Sequence, residues 1–394
     1  MRRLGILLLL AGGAVSAQSQ PPPAAPPFVP VIAPVKPIDP PPTPLPDENA
    51  TAHTTAFSFI AYGDTRCDCT VAKPAEDETA HAQVVDQILA TVKARASTPN
   101  PIRFVLQSGD ATFRGPSAER WPVFVAIIEK MTKGANLPYF FAVGNHDVTG
   151  MPPGDPGRAL GLHYTLSAIA KLIPPEGSPH RLNGYPTYAF GYGNSFFIAL
   201  DSNIASDTVQ LAWVTNELEH LDRARYTNVF AFYHHPLFSS GPHSGVQPID
   251  PRTHQRGPDR IEPQTLAMRT LYAPLFRKYH VRMTLAGHDH LFDHWVERYV
   301  DGGRAYRRDD VLTGGGGAPT YTYQGEPDLQ AYVSGGADAQ VRLEHLAKPG
   351  PKIADNPHHF AIVDVDGEKL TLEIVAVGGV LAPYGGKTKI TLNN

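Results

Sequence analysis

Gly63-Asp64-Thr65-Arg66, Gly109-Asp110, Gly144-Asn145-His146-Asp147, His234-His235-Pro236 and Gly287-His288-Asp289-His290 are the short polar clusters on which the reading of this chain turns. Most follow an apolar run: Phe57 to Tyr62, Phe104 to Gln107, Tyr139 to Val143, Val229 to Tyr233 and Met283 to Ala286. Short runs of this kind, bounded by turn residues, read as buried strands. Polar side chains placed at strand ends converge above a sheet, where α/β folds keep their sites. Carboxylate and amide oxygens suit hard cations, and imidazole suits borderline ones. The set Asp, Asp, Asn, His, His, His therefore predicts a site for one or two metals.

Helical periodicity fills the gaps between the strands. Val84, Val85, Ile88, Leu89 and Val92 share one face of a helix expected over 80–96, and a second helix is expected over 118–133. Residues 148–186 are rich in Gly and Pro and read as an excursion near the site, with one helix over 164–172. A hairpin is expected at 187–201, then helices at 210–221 and 264–279, with a polar Gly/Pro loop at 239–263 between them. The C-terminal third reads as strands at 295–299, 305–307, 311–313, 360–365 and 370–377, the last two joined by the hairpin signal Asp366-Gly367. Gly314 to Gly317 lacks the Lys-Ser/Thr of a nucleotide loop and is read as close backbone packing. His358 and His359 read as structural or exposed.

The ends carry a different message. Arg2 and Arg3, the apolar stretch Leu4 to Ala14 and the small residues Val15-Ser16-Ala17 form the pattern of a signal peptide over 1–17. Export to the periplasm or the medium is the expectation. Residues 18–50 are dominated by Pro and Ala and read as a disordered linker. The domain is expected over 55–394, with 42% hydrophobic residues in the chain, enough for a large core. No later apolar run reaches the length of a membrane span. A net charge of -4 without a basic block gives no sign of a nucleic-acid partner. Cys67 and Cys69 are two residues apart, a spacing that rarely meets disulfide geometry.

The five clusters, in this order, resemble the calcineurin-like metallophosphoesterases and, within them, the purple acid phosphatase branch. The resemblance covers about residues 56–317. His243, nine residues after His234 in HHPLFSSGPH, falls where that branch carries a substrate-side histidine. The resemblance implies an α/β fold, a two-sheet β-sandwich with mixed sheets flanked by helices. It also implies two metal ions of the Mn, Zn or Fe type. Asp64, Asp110 and His290 would hold the first, and Asp110, Asn145, His234 and His288 the second. His235 would be a packing neighbour. His146, its tautomer held by Asp147 or another acid, and His243 would donate a proton or contact phosphate, and Arg66 would pair with phosphate oxygens.

Two positions depart from the pattern. Arg66 stands where the superfamily commonly has His, and Phe113 where the purple branch has a coordinating Tyr, which excludes an iron–tyrosinate centre. His81, at the start of the first helix, is a candidate to replace the missing ligand. The function implied is hydrolysis of a small phosphomonoester by a metal-held hydroxide. Phosphodiester or nucleotide hydrolysis, and a catalytically silent binding protein that kept the fold, are the rival readings.

Overall fold

The computed structural model describes residues 35–66, 78–148, 155–334 and 341–392. The expected export signal, Cys67 and Cys69 lie outside them, as does the first part of the expected linker. Thirteen strands form two mixed sheets among the described residues. In chain order they are β1 (Ala56–Tyr62), β2 (Ile102–Gln107), β3 (Tyr139–Phe141), β4 (Tyr188–Tyr192), β5 (Ser195–Ala199), β6 (Asn228–Phe232) and β7 (Met283–Ala286). There follow β8 (Phe292–Asp301), β9 (Arg304–Thr313), β10 (Arg342–Ala347), β11 (His358–Asp366), β12 (Lys369–Val377) and β13 (Lys389–Leu392). One sheet has the order β13-β12-β11-β1-β2-β3, the other β10-β8-β9-β7-β6-β5-β4. This is the expected α/β sandwich.

Aromatic side chains close the space between the sheets. Phe59 of β1 meets Phe197 of β5 and Phe230 of β6 edge-on, with ring centroids 5.2 and 5.1 Å apart. Phe104 of β2 meets Phe197 in the same way at 5.1 Å. Such edge-to-face pairs add specific geometry to the area they bury. Parallel pairing of β1 with β2, β2 with β3, β5 with β6, and β6 with β7 turns the C-terminal ends of these strands toward one edge. The polar clusters follow those ends.

Several boundaries differ from the sequence reading. The linker does not extend to residue 50: Val35 and Ile38 are buried in the core, and Ile38 N–H donates to Ala168 O at 2.8 Å. The Glu48 carboxylate accepts from Gly191 N–H and from the Tyr226 hydroxyl. Apolar residues between the prolines find a groove to fill, which composition alone cannot foretell. The helix of the excursion spans Pro156–Ile169, starting earlier than expected because Asp155 caps it by accepting from Gly157 N–H. Residues 305–307 and 311–313 belong to one continuous strand, β9, because β8 pairs with it along its whole length. β10 and β13 were not anticipated.

Candidate metal centre

Tight loops after β1, β2 and β7 build the centre. Asp64, Asp110 and His288 all take left-handed backbone conformations, with φ of 58°, 58° and 77°. Asp and His tolerate this region better than most side-chain-bearing residues, at some cost, and such residues cluster at functional sites. Gly109, at φ 103°, makes the turn before Asp110, and a Cβ there would lie 2.5 Å from Gly144 N. The buried Asp147 ties two loops together by accepting from the N–H groups of Asp110, Ala111 and Gly144 at 2.8 to 3.0 Å. The glycine run after β9 presses its backbone against the same region. A Cβ on Gly314 would meet Asp289 O at 2.2 Å and Asp64 Oδ2 at 2.8 Å.

The six expected ligands come together. Asp64, Asp110 and His290 are buried, with one donor atom from each within 4.8 Å of the others. Beside them, His234 Nε2 lies 2.7 Å from Asn145 Oδ1, and His288 Nδ1 lies 3.1 Å from both. Asp110 Oδ1 is 3.4 Å from His234 Nε2. The outward ring nitrogens settle the tautomers. His234 Nδ1–H donates to Ser108 O, His290 Nδ1–H to Pro319 O, and His288 Nε2–H to Glu262. A carbonyl or carboxylate can only accept, so each inward nitrogen presents a lone pair. With neutral rings, His234 Nε2, His288 Nδ1 and Asn145 Oδ1 converge as acceptors. That chemistry fits a cation, and partners on the outward nitrogens are what metal-binding histidines ordinarily have.

Burial and charge act on these groups unequally. The Asp64 carboxyl is pushed well above its usual range by burial and by the neighbouring Asp110 charge. Asp110 is lowered, since His234, His146 and Arg66 together outweigh the effect of burial. Burial drops His234 to about 3 and His290 well below 6.5, keeping both imidazoles neutral.

The remaining expected residues fall around this core. Arg66 is buried, with Nε 3.6 Å from Asp110 Oδ2 and a terminal nitrogen 3.5 Å from His290 Nε2. It therefore lies over the first ligand group. Phe113 packs beside the Arg66 guanidinium and the His146 ring. His146 Nδ1 bonds Phe113 O at 2.7 Å, so a backbone carbonyl, and not Asp147, orients it; Asp147 is occupied by three backbone N–H groups. A cavity of about 410 Å³ opens at His146, lined also by Asn145, Phe113, Arg114 and Asp155. His235 is held by Ser202, at 2.9 Å. His81 is fully buried, stacked on Phe124 and facing Tyr62 and Glu78, and so is neither exposed nor among the grouped donors.

Two residues escaped the sequence reading. Glu262 accepts from His288 Nε2 at 2.7 Å through one oxygen and bonds His243 Nδ1 at 2.8 Å through the other. Burial alone would lower the His243 pKa, but Glu262 and Asp289 raise it. Tyr321 stacks its ring on His290, with centroids 4.1 Å apart. Neither sits in a motif; each arrives from a loop whose path the local sequence does not fix.

A family model described as calcineurin-like phosphoesterase matches residues 63–292, more than half of the chain. The chain belongs to that family. Purple acid phosphatase 12 of Arabidopsis thaliana, named as an Fe(3+)-Zn(2+) protein, is 23% identical over 213 residues, which are 52% of this chain and 39% of that one. The structure of purple acid phosphatase PPD1 from yellow lupin (Lupinus luteus) seeds superposes with a TM-score of 0.55 at 16% identity, over 86% of this chain and 54% of that one. The second likeness concerns the fold. The chain spans less than two thirds of the length of either relative.

Proposed function

We propose that this calcineurin-like phosphoesterase is an exported, metal-dependent hydrolase of phosphomonoesters. The observation that carries the reading is the convergence of Asn145 Oδ1, His234 Nε2 and His288 Nδ1 as acceptors beside the buried Asp64, Asp110 and His290 group. Asp64, Asp110 and His290 would hold one ion, and Asp110, Asn145, His234 and His288 a second. When bound, such ions supply Lewis acidity at phosphate oxygens and lower the pKa of water.

The chain's own residues do the rest. His146, with Nδ1–H on the Phe113 carbonyl, lines the cavity, and in its imidazolium form it would pass the Nε2 proton to the departing alcohol. His243, clamped by Glu262, stands across His288 with ring centroids 4.1 Å apart and offers a second contact to phosphate. Arg66 adds a permanent charge beside Asp110. The charge–apolar–small pattern of residues 1–17 supports export, and no helix among the described residues is long and apolar enough to cross a membrane.

The test is hydrolysis of p-nitrophenyl phosphate beside bis-(p-nitrophenyl) phosphate, with and without chelator, followed by Mn²⁺, Zn²⁺ or Fe³⁺. Monoester turnover that chelator abolishes and metal restores is the expected result. A preference for the diester would move the reading to phosphodiesters, and no turnover with either ester at full metal loading would overturn it.

A further inference from the structure

The opposite end of the second sheet carries a separate concentration of charge. Arg282 immediately precedes β7, Arg304 and Arg307 lie at the start of β9, and Arg223 follows the helix Thr208–Glu219. Together with Tyr306 and Glu368 they line a cavity of about 300 Å³. Strand β8 runs from the metal-centre side at Phe292 to this end at Asp301. At about 3.4 Å per residue, its length separates the two places by more than roughly 20 Å.

The charges here do not cancel. Arg307 is paired with the Asp309 carboxylate, whereas His280, its pKa lowered by burial, is a neutral ring 3.4 Å from Asp301. Among the described residues, Arg223, Arg282 and Arg304 have no carboxylate within ion-pair distance, and the buried Arg282 Nε has no hydrogen-bond partner. Three guanidinium groups against Glu368 in the lining and Asp301 behind the neutral His280 leave an excess of about one positive charge. Arg282 is half-buried at the floor, and Arg223 and Arg304 are exposed at the rim. A planar wall completes the cavity. The His280 ring stacks on Tyr306 at 3.8 Å, Tyr299 lies parallel to Tyr306 at 5.5 Å, and Arg304 covers the Tyr306 ring.

We infer that this cavity is a second, non-catalytic site for a phosphate dianion, free or carried on a small organic group. Guanidinium groups match phosphate oxygens in geometry as well as charge, and a cavity of net positive charge attracts the dianion of a phosphomonoester near neutral pH. The tyrosine wall would favour an aromatic substituent over inorganic phosphate. The site is independent of the proposed hydrolysis, since its residues come from the other ends of the strands.

The test is equilibrium dialysis of the metal-loaded full chain against two probes, inorganic phosphate and phenylphosphonate, which is not a phosphate ester and is not hydrolysed as one. The variants are Arg223→Gln with Arg304→Gln, both exposed positions, and separately Asp110→Ala. Wild type should bind at the cavity with either probe, with phenylphosphonate the tighter, and this binding should persist in Asp110→Ala. The double arginine variant should lose it by about tenfold or more while p-nitrophenyl phosphate turnover stays unchanged. Added salt should weaken the same binding. If Asp110→Ala removes all phosphate binding, or if the double arginine variant binds both probes as wild type does, the inference fails. Equal affinity for the two probes would assign the cavity to inorganic phosphate and remove the tyrosine wall from the account.

Discussion

Two clusters of buried charge, both belonging to the second sheet in part, are built on opposite principles. Between β8, β9 and the helix Ala273–Lys278, Arg308 donates to Glu297 at 3.0 Å, to Asp310 at 2.9 Å and to Ala273 O at 3.0 Å. Arg277 reaches the other Glu297 oxygen at 2.7 Å, and Thr284 donates to Asp310. Burial would lower the Arg308 pKa, yet Asp310 and Glu297 raise it well above its ordinary value. That cluster is complete in itself. At the metal centre, carboxylate faces carboxylate and imidazole faces imidazole, and the buried Asp64 and Asp110 drive one pKa up while the other falls. Sign complementarity inside the chain marks a structural network. Its incompleteness at equal burial, with Arg66 alone against Asp64 and Asp110, marks a place shaped for further cations.

The largest expected effect comes from removing the shared carboxylate. Asp110→Ala should lower p-nitrophenyl phosphate turnover by about 10³-fold or more and release bound metal, measured by elemental analysis of the dialysed protein. His146→Ala removes no donor from either ligand group. It should cost about 10²-fold in turnover with metal content unchanged. Loss of metal in that variant would make His146 a structural residue.

Breaking the other cluster should do the reverse. Arg308→Ala leaves Glu297 and Asp310 without their buried partner and should destabilise the fold by about 3–5 kcal/mol in urea unfolding. The folded fraction should still carry metal at the wild-type ratio. Equal loss of metal and stability would show that the two clusters are one unit.

A smaller effect is expected at the carboxylate behind the ligands. Glu262→Gln weakens the bonds to His288 and His243 and should reduce metal affinity by about tenfold, read as the metal concentration that restores half of the activity. Unchanged affinity would reduce Glu262 to a loop anchor.

The smallest concerns His345, which bridges Asp293 and Glu326. Burial lowers its pKa, but the two carboxylates outweigh burial and raise it above 6.5. The stabilisation is fully present below the unfolded-state value and is lost as pH rises through the higher folded-state value. The difference in urea midpoint between wild type and His345→Gln should therefore be larger at about pH 6 than at about pH 9. A difference that grows with pH would contradict the pairing.

The sequence reveals the strands and their polar ends because both signals are local. Phe57 to Tyr62 is apolar but for Ser58, and Gly63-Asp64 follows at once. β10 is hidden because Arg342–Ala347 is half polar with only Ala347 buried, and its strand conformation comes from pairing with β8. Val35 and Ile38 are hidden by the prolines around them. Glu262 lies 28 residues beyond His234 on a loop, and only the path of that loop brings it to His288. What the chain encodes in runs and spacings is legible. What it encodes in the meeting of distant loops is not.

We propose that two adjoining donor sets hold two ions with Asp110 between them. Metal per folded chain, counted in wild type, His288→Ala and His290→Ala, tests it most directly. Two ions are expected in wild type and one in each variant, with His288→Ala and His290→Ala losing different ones. A wild-type chain with no bound ion, or variants that keep the wild-type count, would contradict it.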